Sequence, residues 1–178
     1  MVWSIRYARV VTTFNLRTAR LKPGEAFRES VPIGLEPLGL GGERYVAVPD
    51  RPEAVLEITR LNSGLLSELT FEASLAGPCM RCLEAATIVV PIRTREYQAS
   101  EGASEQTTNP YLADDRIDLS AWARDAIALA LPEKILCRED CAGLCAGCGA
   151  NLNTEECRCP PPDPDPRFAK LADLLDRL

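Results

Sequence analysis

The sequence predicts an α+β fold: a curved antiparallel sheet or partly open barrel from residues 10–97, a covering helix at 118–131, and a cysteine-rich region at 137–159 in which bound metal replaces a core. Three observations predict it. Residues 65–75 alternate strictly, with Leu65, Leu69, Phe71, Ala73 and Leu75 on one face and Leu66, Glu68, Thr70, Glu72 and Ser74 on the other, the period of a half-buried strand. Residues 119–131 change to helical spacing, with Leu119, Trp122, Ala123, Ala126, Ile127, Ala130 and Leu131 sharing one stripe between Asp118 and Pro132. Six of the eight cysteines then fall between residues 137 and 159, a stretch with several glycines and few large apolar groups.

The elements follow in order. Val10 to Leu21 reads as an extended segment that ends at the turn Lys22-Pro23-Gly24-Glu25. Residues up to Pro52 are rich in Pro and Gly, with short apolar runs such as Tyr45-Val46-Ala47-Val48, and read as short strands and loops. Ala54 to Leu61 is a strand, joined to the alternating one by the hairpin signal Asn62-Ser63-Gly64. Thr87 to Tyr97 adds Ile88, Val90 and Ile92 to one face of a third strand, where Pro91 demands an edge position or a bulge. Residues 98–112 are polar and read as a loop. Asp114, Asp115 and Asp118 precede or cap the helix, where its dipole favours negative charge. After the cysteine-rich region, Pro160-Pro161-Pro162-Asp163-Pro164 is a stiff spacer. Asp165 and Pro166 then open an amphipathic helix with Phe168, Leu171, Leu174, Leu175 and Leu178 on one side, fit to dock on its own domain or on a partner. The organisation is thus a sheet domain at 10–136, a metal region at 137–159, and a spacer with a C-terminal helix at 160–178.

The chain has 178 residues, of which 46% are apolar, enough for one real core. No stretch approaches the eighteen or so unbroken apolar residues of a membrane span, and the N-terminus lacks a signal peptide's apolar run, so a cytoplasmic location without membrane contact is expected. A reducing compartment turns paired cysteines toward metal or redox chemistry rather than disulfides. The net charge of −6 disfavours nonspecific coating of nucleic acid, and eight bound thiolates (−8) with two zinc ions (+4) would take it to −10. Residues 1–22 differ: Arg6, Arg9, Arg17, Arg20 and Lys22 stand there with no acidic residue, a basic patch that could meet RNA phosphates or simply be solvated.

The cysteines form pairs: Cys79-x2-Cys82, Cys137-x3-Cys141, Cys145-x2-Cys148 and Cys157-x-Cys159. Zinc takes four thiolates at about 2.3 Å, and a two-residue gap lets one tight turn offer two sulfurs to one ion. Four pairs predict two zinc sites. Cys145-Ala-Gly-Cys148-Gly149 is a zinc-knuckle pattern, and Cys157 with Cys159 lies nearest downstream. Cys79 and Cys82 are then left with Cys137 and Cys141, across a loop of about fifty residues that costs little more to close than a short one. The swapped partition, Cys79 and Cys82 with Cys145 and Cys148, stays open. Cys-x-Cys is tight for two ligands on one ion, so whether Cys157 and Cys159 both ligate stays open too; at least one zinc ion is expected and two are favoured.

Catalysis has little support. The chain has no histidine, hence no Ser-His or Cys-His nucleophile, and no glycine-rich phosphate loop or cleft for a small-molecule substrate is encoded. Cys141-x3-Cys145-x2-Cys148 matches the cluster spacing of radical S-adenosylmethionine enzymes, but their barrel exceeds this chain. A redox-regulated zinc-thiolate protein is an alternative. A transcription-associated zinc ribbon ranks lower, because the helix at 118–131 holds only Arg124 as a basic residue.

At several points the chain resembles the YceD family of large ribosomal RNA subunit accumulation proteins. The residues are Gly77-Pro78-Cys79-Met80-Arg81-Cys82-Leu83, Arg95-Glu96-Tyr97, Asp118-Leu119-Ser120, Ala130-Leu131-Pro132, the run from Cys141 through Cys145, Cys148 and Gly149 to Asn151-Leu152-Asn153, and Asp165-Pro166-Arg167. The order of these motifs over about residues 10–178 carries the resemblance. It implies a cytoplasmic, non-catalytic bacterial or plastid factor needed for large-subunit ribosomal RNA to accumulate, acting on the RNA precursor or an associated ribosomal protein. Family members often carry His or acidic residues at the positions of Cys157 and Cys159, and many begin near Thr13.

Overall fold

The computed structural model describes residues 11–100 and 107–160. The readings of the N-terminal basic residues Arg6 and Arg9 and of the helix after Pro164 lie outside the described residues. Among the described residues nine strands and two helices follow in order: β1 (Thr13–Asn15), α1 (Leu16–Ala19), β2 (Ala26–Pro32), β3 (Leu38–Leu40), β4 (Glu43–Ala47), β5 (Glu53–Arg60), β6 (Gly64–Pro78), β7 (Ala85–Ala99), β8 (Leu112–Ala113), β9 (Arg116–Asp118) and α2 (Leu119–Ala130). All pairings are antiparallel, in a three-stranded sheet β1-β9-β8 and a larger one built on β6. Neither sheet closes.

The β6–β7 hairpin is the spine. Its register runs unbroken from Gly64↔Ala99 to Pro78↔Ala85. The other edge of β6 is shared by β5, at residues 65–71, and by β4, at residues 75–76. β7 is therefore an edge strand, and Pro91 sits in it without a bulge because its missing N–H faces away from the ladder. The alternation of β6 is realised: Leu65, Leu69, Phe71, Ala73 and Leu75 are buried with Ala54, Leu56 and Ile58 of β5 and with Val90 and Ile92 of β7. α2 covers this face through Leu119, Trp122, Ala123 and Ile127, and Trp122 Nε1 donates to Thr94 Oγ1 at 3.3 Å. Its N-cap is Asp118, whose carboxylate accepts from Ala121 N at 2.9 Å, a cap that contributes about 1 kcal/mol.

Three expectations are corrected. The extended segment Val10–Leu21 is interrupted by α1, because the Asn15 side chain accepts from Arg17 N at 3.0 Å and starts a helical turn. The loop expected at 98–112 is shorter, since the ladder carries β7 to Ala99 and β8 begins at Leu112. Asp114 and Asp115 do not cap α2. They form the two-residue turn between β8 and β9, with φ of 49° and 60°, the left-handed pair that matches strand twist in tight hairpins.

The solvent face of the larger sheet carries a charge row across four strands: Arg28, Glu57, Glu68 and Arg95 stand in register. Glu68 accepts from Arg95 and, at 3.0 Å, from Arg93 Nε. These two hydrogen bonds hold its carboxyl below the ordinary glutamate range. A depressed folded-state pKa stabilises the fold above the unfolded-state value and loses that contribution as pH falls through the folded one. Glu68→Gln should therefore flatten the acid limb of the melting-temperature profile, and an acid limb identical to wild type would refute the role assigned to this carboxylate.

Candidate metal centres

The hairpin tip between β6 and β7 turns through Cys79-Met80-Arg81-Cys82-Leu83-Glu84. Cys79 N donates to Glu84 O at 2.7 Å and Leu83 N to Cys79 O at 3.0 Å, while Arg81 N points at Cys79 Sγ at 3.5 Å. The segment Cys145-Ala146-Gly147-Cys148-Gly149-Ala150 repeats this pattern. Cys145 N donates to Ala150 O at 2.8 Å, Gly149 N to Cys145 O at 2.8 Å, and Gly147 N points at Cys145 Sγ at 3.4 Å. The chain thus holds two knuckles of one geometry. Each needs a left-handed residue after its second cysteine: Gly149 takes φ 76° in one and Leu83, unusually, φ 64° in the other.

Residues 135–144 wrap the first knuckle. Met80 N donates to Ile135 O at 2.9 Å, Arg81 Nη1 to Cys141 O at 2.7 Å, and Leu144 N to Arg81 O at 3.2 Å. This brings Cys137 and Cys141 to Cys79 and Cys82, and the loop after the second knuckle returns Cys157 and Cys159 to Cys145 and Cys148. Within each group all four sulfurs lie within 4.8 Å of one another, and each group could hold a metal ion. The swapped grouping is not formed.

The spacing of the sulfurs tests that fit. A tetrahedral ion bonded to thiolates at about 2.3 Å has sulfur–sulfur edges about 1.63 times as long, or about 3.8 Å. Here Cys79–Cys141 is 3.7 Å, Cys82–Cys137 3.6 Å, Cys148–Cys157 3.7 Å and Cys145–Cys157 3.2 Å. A disulfide would need about 2.05 Å, and all eight cysteines are free. Cys157 and Cys159 both belong to their group, with Cys159 N pointing at Cys157 Sγ at 3.3 Å.

Crowding splits the acidities within each group. Burial raises the Cys79 thiol, but the backbone N–H groups of Cys82 and Arg81 outweigh it and bring it to about 6. Cys145 falls to about 6 through the N–H of Cys148, the Cys157 thiol and the N–H of Gly147. Conversely, burial and the thiols of Cys82, Cys141 and Cys79 push Cys137 up to about 12, and the thiols of Cys157, Cys148 and Cys145 push Cys159 up to about 12. In the first group Cys141 is lowered as well, its burial outweighed by the Asn153 amide and the N–H of Gly143, so each group mixes thiols that ionise readily with thiols that resist, and a bound cation would favour all four thiolates together.

The two groups differ in setting. Cys79, Cys82 and Cys141 are buried in a small core with Tyr45, Ala86 and Ile135, whereas Cys148 and Cys159 are exposed. Two residues of that setting had no site role legible in the sequence. Tyr45 of β4, opposite Gly77, is fully buried and donates from its hydroxyl to Pro78 O at 2.8 Å. Burial, then Glu43 and Cys79, hold its phenol above the ordinary value, so it remains a neutral donor. Asn153, from the loop between Cys148 and Cys157, reaches across to the other group: its Nδ2 lies 3.4 Å from Cys141 Sγ, and its Oδ1 accepts from Ala142 N at 2.8 Å and Arg138 Nη2 at 2.7 Å. A side-chain amide thus ties the two centres together.

A Cβ on Gly77 would lie 2.3 Å from Tyr45 Cδ1, inside a ring that cannot retreat. Gly77→Ala should cost about 1–3 kcal/mol by overpacking and disturb the Cys79 knuckle. A thermal midpoint equal to wild type would show that the ring has room to move.

The family model described as "Large ribosomal RNA subunit accumulation protein YceD" matches residues 67–175. An uncharacterized protein of Mycobacterium tuberculosis strain H37Rv is 32% identical over 179 aligned positions, covering 93% of this chain and 83% of that protein. One from Mycobacterium leprae is 31% identical over 173 positions, covering 91% and 76%. The maize protein "Large ribosomal RNA subunit accumulation protein YCED homolog 1, chloroplastic" is 48% identical over 50 residues, 28% of this chain and 17% of that one. No solved structure matches. With the family model spanning most of the chain, from mid-β6 past both cysteine groups, the protein belongs to the YceD family.

Proposed function

We propose that this protein is a non-catalytic zinc-binding factor that supports the accumulation of large-subunit ribosomal RNA in the bacterial cytoplasm. The observation that carries the reading is the family match over residues 67–175, which includes all eight cysteines of both groups. The matched region therefore spans both candidate metal centres. Among the described residues no helix is long and apolar enough to cross a membrane.

Cys79, Cys82, Cys137 and Cys141 would hold one zinc ion, and Cys145, Cys148, Cys157 and Cys159 a second. Bound zinc neutralises thiolates and cross-links the segments that bear them. The residues do the rest: the knuckle N–H groups of Arg81 and Gly147 aim at sulfur, and Asn153 orients Cys141. On this reading residues 10–136 form the sheet domain, 137–159 the zinc region anchored on its hairpin, and 160–178 a spacer and helix available to a partner. That partner is the large-subunit RNA precursor or a ribosomal protein bound to it.

Purified protein should contain two zinc ions per chain. Cys148→Ser should retain one, release residues 145–159 and leave the sheet folded, as read by metal analysis with amide hydrogen exchange; undiminished zinc would sink the assignment. Asn153→Ala ligates nothing, yet should weaken the buried site about 10–100-fold, the usual effect of removing a group that orients a ligand, and a chelator titration would register it. The function itself is tested by the ratio of mature large- to small-subunit ribosomal RNA in a deletion strain. The ratio should fall, recover with wild type and fail to recover with Cys145→Ser. An unchanged ratio on deletion would detach the chain from ribosomal RNA.

A redox-regulated zinc-thiolate protein is the second reading, favoured by the exposure of Cys148 and Cys159. It requires mild oxidation to release zinc and increase activity, whereas the first reading requires oxidation to abolish it.

A further inference from the structure

Away from both cysteine groups, an open cleft of about 240 Å³ lies where α1 of the smaller sheet's entry meets the ends of β5 and β6 in the larger sheet. Its lining combines the buried Ile58 and Leu65 and the half-buried Leu21, which give it an apolar floor, with the exposed Arg17 and Arg20 and the half-buried Arg60, which make up its cationic rim. The carboxylate there is Asp115, which is taken by Arg17 through Nε at 2.9 Å and Nη2 at 2.8 Å. Among the described residues, no ion pair engages Arg20 or Arg60. The rim therefore carries a net positive charge in a chain whose overall charge is −6.

Two details mark it as more than a solvated edge. Arg20 caps α1 at φ 46°, ψ 41°, a left-handed position that favours glycine or asparagine. Placing a long cation there costs backbone strain and sets its side chain at the end of the helical turn, in the cleft wall. Arg60 is fixed in turn by two backbone bonds to the next turn: Arg60 N donates to Glu25 O at 2.9 Å and Gly24 N to Arg60 O at 2.7 Å. The Glu25 carboxylate does not line the cleft; it accepts from Lys22 N at 2.9 Å in the adjoining turn.

We infer that this cleft is a binding site for single-stranded RNA, with Arg20 and Arg60 on successive phosphates and the apolar floor against a base. The inference rests on the ribosomal RNA reading above and deepens it by making the contact direct. Guanidinium forks match phosphate geometry, and an apolar floor between them takes the face of an unstacked base. The overall charge of −6 disfavours RNA contact over the surface at large, which makes a locally cationic cleft the favoured place for it.

The test uses the full-length, zinc-loaded protein and a fluorescent oligouridylate, with anisotropy read over a series of salt concentrations. Arg20→Gly preserves the left-handed backbone and Arg60→Gln the strand end, so the double variant should melt like wild type. It should bind at least about tenfold more weakly, and its log–log salt slope should shrink by about 1.4, about 0.7 for each lost phosphate contact. Arg51→Gln/Arg124→Gln removes the same charge from exposed sites outside this cleft and should leave both unchanged. Equal weakening in both double variants, no binding by wild type, or displacement by polyglutamate as effective as by RNA would overturn the site, the last result assigning it to an acidic protein. In the deletion strain, rescue by Arg20→Gly/Arg60→Gln as complete as by wild type would overturn the cleft and keep the function. Arg-dependent RNA binding with an unchanged ribosomal RNA ratio on deletion would do the reverse.

Discussion

The antiparallel ladder between β6 and β7 is the constraint on which the remaining structure depends. Its register is continuous from Gly64↔Ala99 to Pro78↔Ala85, so every side chain on the two strands is committed to one face. The inner residues form the core that α2 covers, the outer ones the charge row around Glu68, and the far end of the hairpin delivers Cys79 and Cys82 to a fixed place. A slip of one residue would exchange the core face for the charged one and aim the thiols elsewhere. The metal region has little core of its own and depends on this rigid tip.

The two cysteine groups share a knuckle geometry but differ in what surrounds them. The first is set into protein, with Tyr45 against Gly77 and Ile135 beside the thiols. The second is held by a loop whose closest apolar support, Leu144 and Leu152, is itself exposed. Its order therefore depends more on what its sulfurs bind than on packing, which follows from the scarcity of large apolar residues between 142 and 159. Asn153 offsets this, because its amide contacts Cys141 of the buried group from within the exposed group's loop. Ordering one centre thereby helps to order the other.

Much of this was legible where local pattern and tertiary demand coincide. β6 reads from sequence because one of its faces is dry over its whole length, and α2 because its stripe is bounded by a cap and a proline. The smaller sheet was not legible: β1, β8 and β9 have two or three residues each, too few to show a period, and exist because they pair across distant parts of the chain. Asp114 and Asp115 misled for a related reason, since acidic residues before a helix suit a cap and a left-handed turn equally well, and only the pairing of β8 with β9 decides between them. Cysteine spacing gave the pairs, but loop-closure cost differs too little between partitions to choose one; the hydrogen bonds from Met80 to Ile135 and from Arg81 to Cys141 make that choice. Tyr45 looked like one residue of a short apolar run, and nothing local linked it to Gly77. Their relation is a cross-strand contact, which no local window contains.

Charge placement joins these parts. Several acidic residues are engaged within the protein: Glu68 by two arginines, Asp115 by Arg17, Asp118 at the α2 cap and Glu25 by a backbone N–H. Arg20 and Arg60 are not matched in this way among the described residues, and both sit at one cleft. Thiolate-rich centres add negative charge at the hairpin tip, and the cleft adjoins the opposite end of β6, beside Leu65. A 15-residue strand rising about 3.3 Å per residue separates those ends by roughly 45–50 Å. Over such a distance salt screens the field of the cysteine-rich end almost completely, so an acidic end and a cationic end can coexist in one small protein without either cancelling the other.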